Sequence, residues 1–166
     1  LLSILETHGA ELHALLTRLT LHAGAAEDLL QELFLKLSNA TGFYLARDRK
    51  AYAFRAAMHM AFDWRRKQRP AGSLAAEPAA SADSALDRLI HAEELEQVLD
   101  AMQRLSGLGR DVLVLRHLRH LEYDEIAREI GKNEHQVRAL YAKALGQLRA
   151  IFRPVIPEPE NRGTTS

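Results

Sequence analysis

Leucine and other apolar residues recur at three- and four-residue spacing along almost the whole chain, and no stretch alternates with the two-residue period of a half-buried strand. Leu12, Leu15, Leu16 and Leu19 form one helical stripe; Leu29, Leu30, Leu33, Phe34 and Leu37 form the next. His22-Ala23-Gly24 separates them, with Gly24 the expected weak point. Residues 38–50 read as a connection, with turn chemistry at Asn39 and Gly42. A third helix is expected from Ala51 to Arg66, stopping before Pro70, because a residue ahead of proline disfavours helical backbone. The pattern resumes near Ser84 with Leu86, Leu89, Ile90, Leu95, Val98, Leu99 and Met102. Ser106-Gly107 and Gly109 are expected to bracket a turn before Val112, Leu113, Leu115 and Leu118. The fold class is all-α.

Residues 68–84, rich in Ala, Ser, Pro and Gly, break the pattern with linker composition. A chain of 166 residues suffices for two small domains. The expected division is 1–69 as a first helical domain, 70–84 as a flexible linker, 85–154 as a second helical domain and 155–166 as a disordered tail. The formal net charge is zero, but its distribution is uneven. Residues 1–70 hold ten Lys/Arg against seven Asp/Glu, residues 71–100 one against seven, and residues 101–153 ten against six. Two basic blocks therefore flank an acidic connector, and local patches rather than the total govern binding to a polyanion. The absence of cysteine excludes disulfides, thiolate zinc sites and cysteine nucleophiles. There is no apolar run of membrane-spanning length and no basic-then-apolar leader at the start, so no membrane insertion and a cytoplasmic location are expected.

The second domain ends in the plainest local grammar. Tyr123 to Ile130 reads as a short helix, with Asp124 as its cap if the helix starts there; Gly131-Lys132-Asn133 is a turn, and Glu134 to Phe152 is a long helix. In a helix-turn-helix the N-terminal residues of the second helix reach base edges in the major groove. Those residues are Glu134, His135, Gln136 and Arg138, with Lys143 placed for a phosphate. Gln can pair with adenine, Arg with guanine, and Glu can accept from cytosine. Val137, Leu140, Ala144 and Leu148 would face inward, with Ile126, Ala127 and Ile130. The same pattern also describes a polar surface helix of an ordinary bundle.

Within 52–66 nearly every residue is apolar except Arg55, His59 and Asp63, which share one helical face. Arg65, Arg66, Lys67 and Arg69 follow at the C-terminal end, where cations suit the helix dipole as well as a nucleic acid. Trp64 reads as core before it reads as a stacking platform. His59 with Asp63, or His117 with His120, supplies too few ligands for a metal, and Arg55 would repel one. No phosphate loop, metalloprotease helix or nucleophile elbow is present. No enzyme activity, catalytic residue, metal or cofactor is expected.

Ala26-Glu-Asp-Leu-Leu-Gln-Glu-Leu-Phe-Leu-Lys-Leu37 resembles region 2.2 of the extracytoplasmic-function (ECF) group of RNA polymerase sigma factors, and Tyr52-Ala-Phe-Arg-Ala-Ala-Met-His-Met-Ala-Phe-Asp-Trp-Arg-Arg66 resembles regions 2.3 and 2.4. Leu105-Ser-Gly-Leu-Gly-Arg-Asp-Val-Leu-Val-Leu-Arg116 is similar to the start of region 4. Leu121-Glu-Tyr-Asp-Glu-Ile-Ala-Arg-Glu-Ile-Gly131 is similar to its first helix-turn-helix segment. The resemblance covers roughly 10–153, and the linker leaves no room for the region 3 domain of larger sigma factors. It implies that Asp28, Gln31, Glu32 and Phe34 dock on the β′ clamp helices of core RNA polymerase. It assigns opening and reading of the −10 promoter element to Arg55, His59, Asp63, Arg65 and Arg66, with 38–50 as a base pocket. It gives −35 reading to Glu134, His135, Gln136, Arg138 and Lys143. Further implied partners are the polymerase β flap, promoter DNA and an anti-sigma factor. The chain departs from the family at Ser38 and Tyr52, where Trp is frequent, at His59, where Asn is, and at Ser106, where Pro is. In the recognition helix, Gln136 replaces a frequent Thr and Leu140 a frequent basic residue.

Two other functions fit parts of the pattern. A stand-alone helix-turn-helix regulator would use the last two helices but has no need of the 26–37 motif. A degenerate relative could occupy polymerase or an anti-sigma protein without initiating. Promoter-dependent transcription with core enzyme separates them.

Overall fold

The computed structural model describes residues 1–68 and 92–152. The expected linker 70–84, the tail 155–166 and the start of the second domain before residue 92 lie outside the described residues. The described residues form eight helices and no strand: α1 (Leu2–Thr20), α2 (Ala23–Ser38), α3 (Thr41–Leu45), α4 (Arg49–Gln68), α5 (Ala92–Met102), α6 (Gly107–His117), α7 (Tyr123–Ile130) and α8 (Glu134–Phe152).

In the first unit, α1, α2 and α4 pack side by side. Leu12, Leu15, Leu16 and Leu19 from α1, Leu29, Leu33 and Leu37 from α2, and Phe54, Met58 and Phe62 from α4 are all buried. The α1–α2 break falls at Leu21-His22 and not at Gly24. Leu21 takes a left-handed φ of 58° and its N–H donates to the Thr17 carbonyl; the His22 ring then accepts from the Ala25 N–H at 3.0 Å. Gly24 lies inside α2, where a Cβ would stand 3.3 Å from the His22 ring, so the glycine makes room for the cap.

Residues 38–50 are not all connection. α3 forms within them because Phe43, with no exposed surface, anchors this turn edge-on to Tyr44 and Tyr52. α4 starts earlier than expected, at Arg49, where the Asp48 carboxylate accepts from the Ala51 N–H at 2.9 Å.

In the second unit α8 packs against α5, α6 and α7. Ser106 caps α6 by accepting from the Gly109 N–H at 3.2 Å, so Gly107 and Gly109 belong to the first turn of the helix rather than bracketing a loop. A Cβ on Gly109 would sit 3.2 Å from the Ala144 methyl, which is how α6 comes close to α8. α7 begins at Tyr123, so its N-cap is Glu122, whose N–H donates to Glu125 at 2.8 Å; Asp124 instead sits in the first turn and pairs with Arg128. Gly131 ends α7 at a left-handed φ of 67°. Val137, Ala144 and Leu148 are buried as expected, Phe152 joins them, and Leu140 is half-buried. No helix among the described residues is long and apolar enough to cross a membrane.

Candidate nucleic-acid interface

α7, the turn at Gly131 and α8 form a helix-turn-helix, and the start of α8 presents Glu134, His135, Gln136 and Arg138 to solvent. Local bonds hold two of these side chains. Asn133 and Gln136 exchange hydrogen bonds reciprocally, at 2.8 and 3.1 Å, closing a capping box around the helix start. Arg138 pairs with Glu134 one turn back and lies over the Tyr123 ring, 4.4 Å from its centroid. Arg116 covers the same ring at 5.0 Å. Its guanidinium is held above its ordinary value by the hydrogen bond to Glu122, against burial. Lys143 is exposed further along α8. This surface offers donors and acceptors to a groove with no buried charge to release.

The α4 candidates lie differently. Arg55 and His59 are only partly exposed because both turn toward Asp111 of α6. His59 Nε2 is 3.1 and 3.2 Å from the two Asp111 carboxylate oxygens, and Arg55 Nη2 is 3.8 Å from one of them. Asp63 is exposed and pairs with Arg66 at 2.7 Å. Arg65 is not a surface residue in this conformation. Its guanidinium is buried, donating to Asp100 Oδ1 at 2.8 Å and to the carbonyls of Leu19 and Glu96. A helix packed on several sides must turn some of its basic side chains inward, and Arg65 shares the buried face with Phe62 and Met58. Trp64 packs partly against the core beside His22, as its apolar neighbours imply.

The two units therefore meet along a seam of long side chains. Arg110 of α6 lies 4.4 Å over the Phe62 ring, Arg119 lies 3.9 Å over the Phe54 ring, and Arg18 donates to the Leu118 carbonyl at 3.4 Å. Arg119 donates to both carboxylate oxygens of Glu129, at 2.8 and 2.9 Å. Burial pushes the Arg110 guanidinium below its ordinary value, with the Asp111 and Asp63 carboxylates acting against that shift. Beside the seam opens a cleft of about 1130 Å³ between the 46–52 segment and the end of α7. Arg47, Arg49, Lys50, Arg55, Arg128 and Lys132 line it, against the acids Asp48 and Glu129.

The exposed side of α2 carries Asp28, Gln31 and Glu32, with Phe34 half-buried and Leu35 61% exposed. Leu5, Gly9, Leu30, Gln31, Phe34 and Leu35 line a shallow, mainly apolar groove between α1 and α2. The motif residues thus gather on one outward face, away from α4.

Asp111 is the residue that sequence patterning overlooked. It precedes Leu115 and Leu118 by four and seven positions, so it occupies the buried stripe of α6; a carboxylate in that register needs a cationic partner. That spacing was the available signal, but it could not name the partner.

Comparison with known proteins bears on both units. Residues 4–71 match the Sigma-70 region 2 model and residues 101–150 match Sigma-70, region 4. The ferric citrate uptake sigma factor FecI of Escherichia coli (strain K12) is 30% identical over 148 residues, covering 86% of this chain and 85% of its own. The ECF RNA polymerase sigma factor SigX of Bacillus subtilis (strain 168) is 26% identical, covering 87% and 79%. Among solved structures, the sigma factor RpoE in complex with the anti-sigma factor NepR from Bartonella quintana aligns with 89% of this chain and 92% of that one, at 21% identity and a TM-score of 0.49. With both sigma-70 regions matched in order, and a relative 30% identical of which 85% is covered, the chain belongs to the ECF group of RNA polymerase sigma factors.

Proposed function

We propose how the surfaces of this sigma factor divide its work of directing core RNA polymerase to promoters. Asp28, Gln31 and Glu32, with Phe34 and Leu35 at the edge of the apolar groove, form the docking face for the β′ clamp helices. A mixed face of this kind suits a protein partner: apolar area supplies affinity and the acids select basic residues opposite. The second unit, through α8, takes the −35 duplex: Glu134, His135, Gln136 and Arg138 face base edges and Lys143 a phosphate, while the same unit engages the β flap. Arg55, His59, Asp63 and Arg66 serve the −10 element. Arg65 positions α4 through Asp100. Tyr52, exposed at the cationic cleft, and Tyr44, exposed beside Phe43, offer rings to unstacked bases. Extruding a base costs a few kcal/mol, which such contacts offset. The chain performs no bond chemistry; polymerase transfers the nucleotides.

Residues 70–84 are the tether that lets both units engage one promoter, raising effective concentration without a new contact. The protein acts in the cytoplasm, under an anti-sigma factor of its own. The observation that carries the assignment is the common exposure of the α2 and α8 candidates on separate, outward faces. The stand-alone regulator offers no account of the α2 face or of two sigma regions in order.

The test is a pull-down with purified core polymerase, followed by run-off transcription on a promoter-fragment library. Wild type forms a one-to-one complex and initiates; Asp28→Arg with Phe34→Ala does neither. Equal binding by the double variant removes the α2 assignment.

A further inference from the structure

The guanidinium of Arg138 is held from two directions, although the side chain is exposed. Along one edge, Nε and Nη2 both donate to Glu134 Oε1, Nε at 3.1 Å. Against its face lies the Tyr123 ring, whose centroid is 4.4 Å from the guanidinium carbon. Nη1 has no bond among the described residues, so the Nη1–Nη2 end of the fork keeps donors for a partner. Two donors on one rigid end match the O6 and N7 acceptors of a guanine.

The ring is itself fixed. Tyr123 is the first residue of α7, next to the cap Glu122. It is half-buried and meets Tyr141 of α8 edge-on, with centroids 5.7 Å apart. The Tyr141 ring stacks on His117 of α6 at 5.8 Å, and its hydroxyl lies 3.1 Å from His117 Nε2. Arg116, also of α6, covers the Tyr123 ring at 5.0 Å while donating to Glu122 and to the Leu121 carbonyl, each at 2.9 Å. Three helices thus build the platform under one exposed arginine. A free arginine on a helix surface samples many rotamers, and binding must order them. A guanidinium already flat on a packed ring loses less of that freedom and meets the groove in one plane. The Tyr123 hydroxyl has no hydrogen bond among the described residues, so the face of the ring is what holds Arg138.

We infer that Tyr123 is a positioning residue for −35 recognition, whose ring holds Arg138 in the orientation that selects guanine over the other bases. This inference rests on the assignment of Arg138 to the −35 duplex proposed above. Tyr123 acts through Arg138 and need not touch a base. Removing the ring leaves Arg138, its charge and its attraction to phosphates in place, so selectivity is lost and total affinity is largely kept.

The test uses holoenzyme assembled from the full chain and core polymerase, with promoter duplexes randomised across the −35 element, and sequences the bound fraction. Wild type enriches guanine at one position by about tenfold or more, and Arg138→Ala abolishes that enrichment. Tyr123→Phe, which keeps the ring, retains it. Tyr123→Leu and Tyr123→Met keep apolar volume without a ring; they bring guanine to within about twofold of the other bases at that position and leave the remaining positions as in wild type. Circular dichroism verifies the helices, and one folded variant of the two suffices. Guanine preference retained without the ring overturns the inference, as does its loss in Tyr123→Phe. An equal loss at every position, or loss of the fold in both ring-less variants, assigns the ring a merely structural role and overturns it as well. The free chain supplies a second readout by nuclear magnetic resonance. The Arg138 Nε–Hε resonance, assigned by its disappearance in Arg138→Ala, moves toward that of an unstacked arginine in Tyr123→Leu and stays in place in Tyr123→Phe; an unmoved resonance in Tyr123→Leu sinks the inference. If Arg138→Ala alters no −35 position, the proposed reading of Arg138 fails and takes this inference with it. A preference that Arg138→Ala abolishes but ring removal leaves intact overturns the inference alone.

Discussion

Helices α4 and α8 carry similar inventories of exposed-type side chains, yet they spend them in opposite ways. On α8 the charged and polar groups are held within one turn: Glu134 with Arg138, Asn133 with Gln136. On α4 they are largely held across the molecule: His59 and Arg55 by Asp111, Arg65 by Asp100. A local pair forms whenever the helix forms, and leaves the surface free to meet a groove. A long-range pair forms only while the two units stay together, so it ties surface chemistry to domain arrangement.

The largest effect that distinguishes the two helices is in the core. Phe62→Ala removes a fully buried ring and the platform under Arg110, and should cost about 3–5 kcal/mol in urea unfolding. No truncation of the exposed α8 residues should approach that figure. Next come adjacent arginines. Arg65→Ala should cost about 2 kcal/mol, because it removes a charge-assisted bond to a carboxylate that is largely out of water. Arg66→Ala, which loses a pair whose partners are both more than half exposed, should cost under about 0.5 kcal/mol in the same experiment. Equal losses would mean that Arg65 is as exposed as its neighbour and the contrast between long-range and local pairing is wrong.

A smaller effect lies at the turn between α7 and α8. Gly131→Ala meets no neighbouring atom but must hold a left-handed φ, and should lower thermal stability by about 1 kcal/mol. Smallest in stability are the α8 surface variants. Glu134→Ala should change folding by no more than about 0.5 kcal/mol, while freeing Arg138 and tightening −35 duplex binding in a mobility-shift titration. Lys143→Ala should leave the fold intact and reduce the salt slope of that binding by about one. A Lys143→Ala slope identical to wild type would remove its phosphate contact.

Much of the architecture was legible in the order of apolar residues. The stripe of α1 and most of those of α2 and α8 are buried where spacing places them, with Leu30, Phe34 and Leu140 half-buried, and the helix-turn-helix falls at Gly131 as its composition requires. Boundaries were less legible because side-chain bonds set them. His22 moves the α1–α2 break away from Gly24, Asp48 and Phe43 convert part of a loop into helix, and Ser106 draws two glycines into α6. The exposure of the candidates was legible on α2 and α8, where it follows from helical register alone. It was illegible on α4, because almost every position of that helix is apolar and register does not say which neighbour its polar residues meet.

By itself, the sequence determined an all-helical chain in two units, the family to which they belong and the outward faces of α2 and α8. These follow from periodicity and capping, which act over three to seven residues. Only the tertiary structure decided that Arg65 turns inward and that Asp111 meets His59 across 52 positions of chain. A buried carboxylate must find a cation, but the backbone path between units chooses which one, and no local pattern encodes that choice.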